Sequence, residues 1–149
     1  MHLVIPDNYT YVLLAASSYA LLNAYQSRNV GKARKAAGIK YPQVYATKEE
    51  QEANPAAYAF NCAQRAHYNT LESSAGMYFG TLVTGLKYPL LAAGMGAAYF
   101  VGRIIFTEAY TRVGPHGRTK YGGFLGGTMP YLFALTTAWT TFQMLELKF

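Results

Sequence analysis

The sequence predicts an all-α integral membrane protein, a single domain of four long helices packed as a bundle. Three observations carry this prediction. Charged residues make up 13% of the 149 positions and hydrophobic residues 52%, whereas an average soluble domain is about 25% charged. The charges are also clustered, leaving four stretches without Asp, Glu, Lys or Arg: Asn8 to Ser27, Ser73 to Leu86, Tyr88 to Gly102 and Tyr121 to Leu145, of 20, 14, 15 and 25 residues. Finally, Lys and Arg are dense in alternate connections between these stretches, as the two sides of a membrane require. An ordinary soluble enzyme fits poorly, and a disordered chain is excluded by the aromatic and aliphatic content. The alternative is a soluble four-helix bundle, but its helices keep a polar face that Tyr9 to Ala24 and Phe124 to Met144 hardly offer.

Helices are expected at about 8–34, 57–86, 89–112 and 121–146 of a domain covering 1–149. A helix needs roughly 20 mostly apolar residues to cross about 30 Å of hydrocarbon, so the first and last stretches qualify unaided. No Lys or Arg precedes Arg28, so the basic flank follows the first apolar run, which is the wrong shape for a cleaved signal peptide. Lys35 to Pro55, with Pro42 and the acidic Glu49, Glu50 and Glu52, reads as a polar loop. The two middle stretches are too short alone. At about 1.5 Å rise per residue, a helix ending near Leu86 must start near His67 or earlier, which places Glu72 at membrane depth and Arg65 near its edge. The third helix starts at Pro89, a first-turn proline, and must run past Arg103 towards Tyr110. The short turn at Leu86 to Pro89 makes the second and third helices antiparallel neighbours. Val113-Gly114-Pro115-His116-Gly117-Arg118 has loop chemistry. Gly122, Gly123, Gly126 and Gly127 then lead into the fourth helix, where small residues permit close helix approach.

Orientation follows from the basic residues. Arg28, Lys32, Arg34, Lys35, Lys40 and Lys48 lie in the first connection and Arg112, Arg118 and Lys120 in the last, against Lys87 and Lys148 on the other side. Both basic connections are therefore cytosolic and both termini luminal. The net charge of +6 is mostly a topology signal and does not point to nucleic acid. Cys62 is the single cysteine, so no intrachain disulfide forms.

Ionisable groups at membrane depth are candidates for function. Arg65, Asn69 and Glu72 stand at i, i+4 and i+7 and share one helix face; Arg103, Phe106, Thr107 and Tyr110 form a second stripe. The bland reading of the first stripe is an internal Arg65–Glu72 salt bridge that makes the helix tolerable in lipid. With Arg28, Arg34, Lys35 and Arg118, four chain regions place cations near one membrane level. Such a site suits an anionic ligand, with carboxylates on Arg forks and an amine on Glu72. A lipid headgroup uses the same kind of basic pocket, so these residues alone do not separate a substrate from a phospholipid. His2, His67, His116 and Cys62 show no ligand spacing, so no metal is expected.

The run Phe60-Asn61-Cys62-Ala63-Gln64-Arg65-Ala66-His67-Tyr68-Asn69-Thr70-Leu71-Glu72 resembles the signature of the MAPEG family, membrane-associated proteins in eicosanoid and glutathione metabolism. Within it the chain is most similar to the microsomal glutathione S-transferase type 3 branch. The likeness extends to Lys32-Ala33-Arg34-Lys35, Lys40-Tyr41-Pro42, Tyr45-Ala46-Thr47 and Val101-Gly102-Arg103. The resemblance implies a homotrimer in the endoplasmic reticulum or mitochondrial outer membrane, with glutathione as co-substrate at each subunit interface, open to the cytosol. It implies glutathione contacts at Ser27, Arg34, Arg65, His67, Asn69, Glu72 and Tyr110, and a thiol-activating arginine at Arg118, with Arg112 as second candidate. The partner substrate implied is a lipophilic electrophile or a lipid hydroperoxide arriving from membrane lipid. Two positions depart from the pattern: Phe106 stands where relatives often carry tyrosine, and Ser73 where leukotriene C4 synthase has one. No terminal cysteine occurs in Leu147-Lys148-Phe149, so the C-terminal lipidation of some type 3 relatives is not expected.

The chemistry of these residues agrees with the resemblance. A thiol is a poor nucleophile until ionised, and a nearby guanidinium stabilises the thiolate. A non-catalytic lipid-presenting protein of the same fold is the competing expectation, and the retained Arg34, Arg65, Asn69, Glu72, Tyr110 and Arg118 argue against it. A channel would carry polar stripes through both leaflets, while the fourth helix offers only threonines and Gln143.

Overall fold

The computed structural model describes residues 4–146; His2, Lys148 and the Leu147-Lys148-Phe149 terminus lie outside them. Among the described residues there are five helices and no strand: α1 (Tyr9–Ala37), α2 (Lys48–Ala53), α3 (Pro55–Gly85), α4 (Pro89–Val113) and α5 (Phe124–Glu146). Two 3₁₀ turns, Pro115–Gly117 and Lys120–Gly122, join the last two.

Local chemistry sets these bounds. The α1 helix ends where Gly38 takes the left-handed conformation (φ 71°) and returns its N–H to the carbonyls of Arg34 and Lys35, a conformation open to glycine at little cost. The short α2 is held by a capping box: Thr47 Oγ1 accepts from the Glu50 N–H at 3.2 Å, and the Glu50 carboxylate accepts from the Thr47 N–H at 2.7 Å. Asn54 caps α3 through the Ala56 N–H at 3.0 Å, with Pro55 in the first turn. Pro89 opens α4.

The α3 and α4 helices form the central pair, with α1 packed on one side and α5 on the other. Val12, Tyr19, Leu22, Met77, Ala92, Tyr99, Met129 and Phe133 fill the core at one end of the bundle. Val30, Ile39, Ala46, Ala57, Phe60 and Ala63 fill the opposite end, where the loop folds back on α1 and α3. The α4 and α5 helices approach closely at Gly102 and Gly126: a Cβ on Gly102 would collide with the Gly126 backbone nitrogen, and one on Gly126 would lie 2.9 Å from the Arg103 nitrogen. Gly126 therefore acts as the small-residue pattern predicts, whereas Gly127 meets nothing within 4 Å.

The outer surface is unusually apolar for a soluble bundle, and several polar groups sit within the apolar core. Gln26, Thr81, Thr84, Arg103, Thr107 and Thr140 are buried, while Leu14, Leu21, Phe79, Leu90, Tyr131, Leu135 and Trp139 face outwards. The interior polar groups bond one another: Gln26 Nε2 donates to Thr70 and Thr107 hydroxyls at 2.8 and 2.7 Å, tying α1 to both central helices.

Three features differ from the sequence prediction. The Lys35 to Pro55 connection contains α2, because Thr47 and Glu50 supply a helix start that loop composition masks. The fourth helix begins at Phe124 rather than near Tyr121, since Tyr121 sits at φ 60° inside a 3₁₀ turn, a conformation a bulky residue rarely adopts. Among the described residues, the helix long and apolar enough to cross a membrane by composition is α4, not the charge-free first and last stretches. Absence of charge is not apolarity. Tyrosines, serines, Asn23 and Gln26 dilute α1, and five threonines dilute α5.

Candidate active site

Arg65, Asn69, Glu72 and Ser73 line up on α3 because their spacing repeats with the helical turn. On the facing side, α4 presents Arg103, Phe106 and Tyr110, and the connection to α5 presents Arg118 and Thr119. Together with Phe124, Pro130 and Tyr131 of α5 they enclose an open cavity of about 420 Å³. The position of Arg118 depends on Gly123: a Cβ there would collide with the Arg118 carbonyl oxygen and lie 3.3 Å from Phe106 Cα.

The mouth carries an ion pair, Arg65 Nη1 to Glu72 Oε1 at 2.9 Å, with both side chains about half exposed. Asn69 Nδ2 donates to Glu72 Oε2 at 3.5 Å. Tyr45, from the loop after α1, stacks near Tyr68 at 6.4 Å between ring centroids. Burial raises the Tyr45 phenol above its ordinary pKa although Arg65 pulls it down, so it remains a neutral hydrogen-bonding group at pH 7.

Arg103 closes the deep end and is 3% exposed. Its Nη1 donates to Asn69 Oδ1 at 2.6 Å, and its Nη2 to Ser73 Oγ at 3.2 Å and the Asn69 carbonyl at 3.4 Å. Its Nε has no partner, and the guanidinium lies 5.0 Å from the Phe106 ring centroid and 5.3 Å from that of Tyr99. Ser73 Oγ and the Tyr99 hydroxyl share a 3.0 Å hydrogen bond. A buried guanidinium ordinarily has an anion beside it, and Arg103 reaches Glu72 only through Asn69. The cavity therefore holds Arg65, Arg103 and Arg118 against Glu72, an excess of cation that suits an anionic ligand.

Five of the eight expected site residues, Arg65, Asn69, Glu72, Tyr110 and Arg118, line this cavity. Ser27, Arg34 and His67 do not. His67 is two residues from Arg65 and hence on the opposite side of α3, where its Nε2 bonds Asn23 Oδ1 of α1 at 2.6 Å. Arg34 is buried between the rings of Tyr41 and Phe60, at 4.2 and 4.6 Å, and donates to the Gln43 carbonyl at 2.6 Å. Ser27 is exposed on α1. Arg112 points away from the cavity into an ion pair with Glu108 at 2.8 Å. Arg103, which the sequence places in the second polar stripe without assigning it a ligand contact, stands in the cavity seven residues before Tyr110 on the same face. Among the described residues no group of three His, Cys, Asp or Glu could hold a metal ion.

Comparison with known families decides the wider context. A family model described as the MAPEG family matches residues 12–139. The chain belongs to the MAPEG family. This membrane-associated family covers glutathione transferases, glutathione peroxidases and leukotriene synthases, and MAPEG proteins use glutathione and form trimers. The fit of this cavity to glutathione rests on its own residues. With its thiol ionised glutathione carries two carboxylates, one ammonium and a thiolate, and the three guanidiniums and one carboxylate here are the complementary set.

Proposed function

We propose that this MAPEG protein is a membrane glutathione transferase and peroxidase of the type 3 branch, acting as a trimer in the endoplasmic reticulum membrane with its site open to the cytosol. The observation that carries the proposal is the convergence of Arg65, Arg103 and Arg118 with Glu72 in one cavity that also has an apolar wall. Arg65 binds a glutathione carboxylate as a fork, Glu72 accepts from the ammonium, and Arg103 fixes Asn69 between them. Arg118, exposed at the cytosolic loop, stabilises the thiolate and so raises the fraction of nucleophile at neutral pH. Tyr110 orients the peptide. Ser27 and His67 lie on the α1–α3 side of the subunit, away from the cavity, where a neighbour in a trimer would use them to complete its site, and Arg34, buried beneath the exposed Tyr41, joins them once that ring moves aside.

The lipophilic partner reaches the thiolate from the bilayer past Phe124 and Tyr131, both exposed on α5. In conjugation the sulfur lone pair forms a C–S bond while the electrophile's bond to oxygen or another leaving atom breaks and takes up a proton. In peroxide reduction the thiolate attacks the terminal oxygen, giving an alcohol and a glutathione sulfenic acid. A second glutathione converts the sulfenic acid to disulfide and water. The apolar outer surface of the bundle, with polar groups such as Gln26 and Thr107 bonded to each other inside it, supports the membrane reading.

The test is thiolate formation, followed by ultraviolet absorbance as glutathione is titrated into the detergent-solubilised protein. Wild type should give a saturable signal, and Arg118→Ala should lose it while still binding glutathione, with kcat falling more than affinity. A wild type that binds no glutathione sinks the proposal in favour of a non-catalytic lipid-presenting protein. A full signal in Arg118→Ala moves the thiolate role to another residue.

A further inference from the structure

The face of the bundle opposite the cavity carries an apolar groove of about 360 Å³ between α1 and α4. Leu14 and Leu21 of α1 stand on its rim at 68% and 67% exposure, and Phe100, Val101 and Ala97 of α4 form the other wall. Residues seven apart stack along a helix, so Leu14 and Leu21 continue into Arg28 and Lys35, with Lys32 one turn beyond Arg28. These three cations are exposed, and among the described residues none forms an ion pair. The groove runs about 15 Å along α1, half of the roughly 30 Å hydrocarbon thickness, and Arg28 lies about 10 Å beyond Leu21.

We propose that this α1/α4 seam binds one anionic phospholipid of the cytosolic leaflet, its headgroup on Arg28, Lys32 and Lys35 and one acyl chain in the groove. The roughly 10 Å from Leu21 to Arg28 is the scale of the glycerol and ester region between a phosphate and its chains, and Lys32 and Lys35, about 16 and 21 Å beyond Leu21, reach back through their long side chains. Glu108, the acid at that level, is held by Arg112 at 2.8 Å and accepts a hydrogen bond from Tyr25 of α1, so its charge is compensated and it closes the seam above the groove. Ser27 lies on another side of α1, since successive residues turn by about 100°, and so does Asn23, which holds His67 of α3 at 2.6 Å. A neighbour docked there leaves the α1/α4 seam to lipid. The inference rests on the membrane reading, with both termini luminal.

Native mass spectrometry of the purified protein, incubated with equal dioleoyl phosphatidylserine and dioleoyl phosphatidylcholine, tests it. Phosphatidylserine should be retained at least about tenfold over phosphatidylcholine, given roughly tenfold or less per well-placed cation. The Arg28→Gln/Lys32→Gln/Lys35→Gln variant should lose that preference to within about twofold while its helical circular dichroism and thermal midpoint stay those of wild type. Ala97→Trp, which fills the groove, should lower retention of phosphatidylserine. Equal retention in wild type, or a preference that survives the triple variant, overturns the site. Phosphatidylserine retention untouched by Ala97→Trp, or a second copy released by it, overturns the groove as the seat of the chain. Resistance of membrane-bound protein to alkaline carbonate checks the membrane reading by itself: carbonate-resistant protein without lipid preference rejects the lipid site alone.

Discussion

Arg103 shows how one side chain can organise a site from beneath it. Three of its five donor hydrogens are spent on Asn69 and Ser73, and its charge has no carboxylate at contact distance. Lysine in its place would keep the charge and lose the planar fork. Hydrogen bonds to a charged group are worth about 1.5–3 kcal/mol, so Arg103→Lys should raise the glutathione KM by roughly 10- to 100-fold. Its thermal midpoint should move less than the lost hydrogen bonds alone would suggest, because lysine keeps a donor towards Asn69 and the buried charge is costly in both proteins. Steady-state kinetics beside a thermal melt measures both. An unchanged KM would show that Asn69 and Glu72 hold their places without Arg103. Phe106 offers a second residue-scale test: its ring lies 5.5 Å from that of Tyr110, and Phe106→Tyr adds a hydroxyl facing the cavity. If a phenol there helps hold the thiolate, kcat should rise a few-fold; no gain would show that Arg118 suffices.

At the scale of elements, the α3 stripe, the Pro89 start of α4 and the loop around Arg118 were legible because each follows from local chemistry: helical spacing, proline geometry, glycine and proline punctuation. The pairing of Arg103 with Asn69 and Ser73 was not, because it depends on how α4 rotates against α3, and the Gly102–Gly126 contact that fixes α4 against α5 is a tertiary event. The α2 helix was legible in principle, since Thr47 and Glu50 sit three residues apart, but its polar composition reads as loop. That short helix depends on its cap. Thr47→Ala should cost about 1 kcal/mol of local stability, seen as faster amide exchange over 48–53. The backbone N–H and the Thr47 hydroxyl hold the Glu49 carboxylate below its ordinary pKa. A lowered carboxylate pKa contributes stability at neutral pH that disappears as pH falls through the folded-state value. The same exchange measurement should therefore show α2 fraying in acid, and exchange independent of pH after correction for intrinsic rates would sink this account.

For the whole molecule, the division of the proposed glutathione contacts between two sides of the subunit has a consequence that no single-subunit measurement reaches. Arg65, Asn69, Glu72, Tyr110 and Arg118 line the cavity, while Ser27 and His67 lie on the α1–α3 side and Arg34 is buried farther along α1 between Tyr41 and Phe60. If each site takes the first set from one subunit and the second from its neighbour, defects in different sets are complementary. Arg118→Ala and Arg34→Ala subunits should each be impaired alone. Co-expressed in equal amounts, they assemble at random, and about a quarter of interfaces then pair an intact Arg118 face with an intact Arg34 face. Turnover should recover to about a quarter of wild type. His67→Ala serves as the parallel partner, because it leaves the packing of Arg34 against Tyr41 and Phe60 intact. Sites built within one subunit predict no recovery at all, since every subunit in the mixture then carries a lesion in its own site. The measured fraction thus tests the shared site directly, whatever electrophile is used to read it.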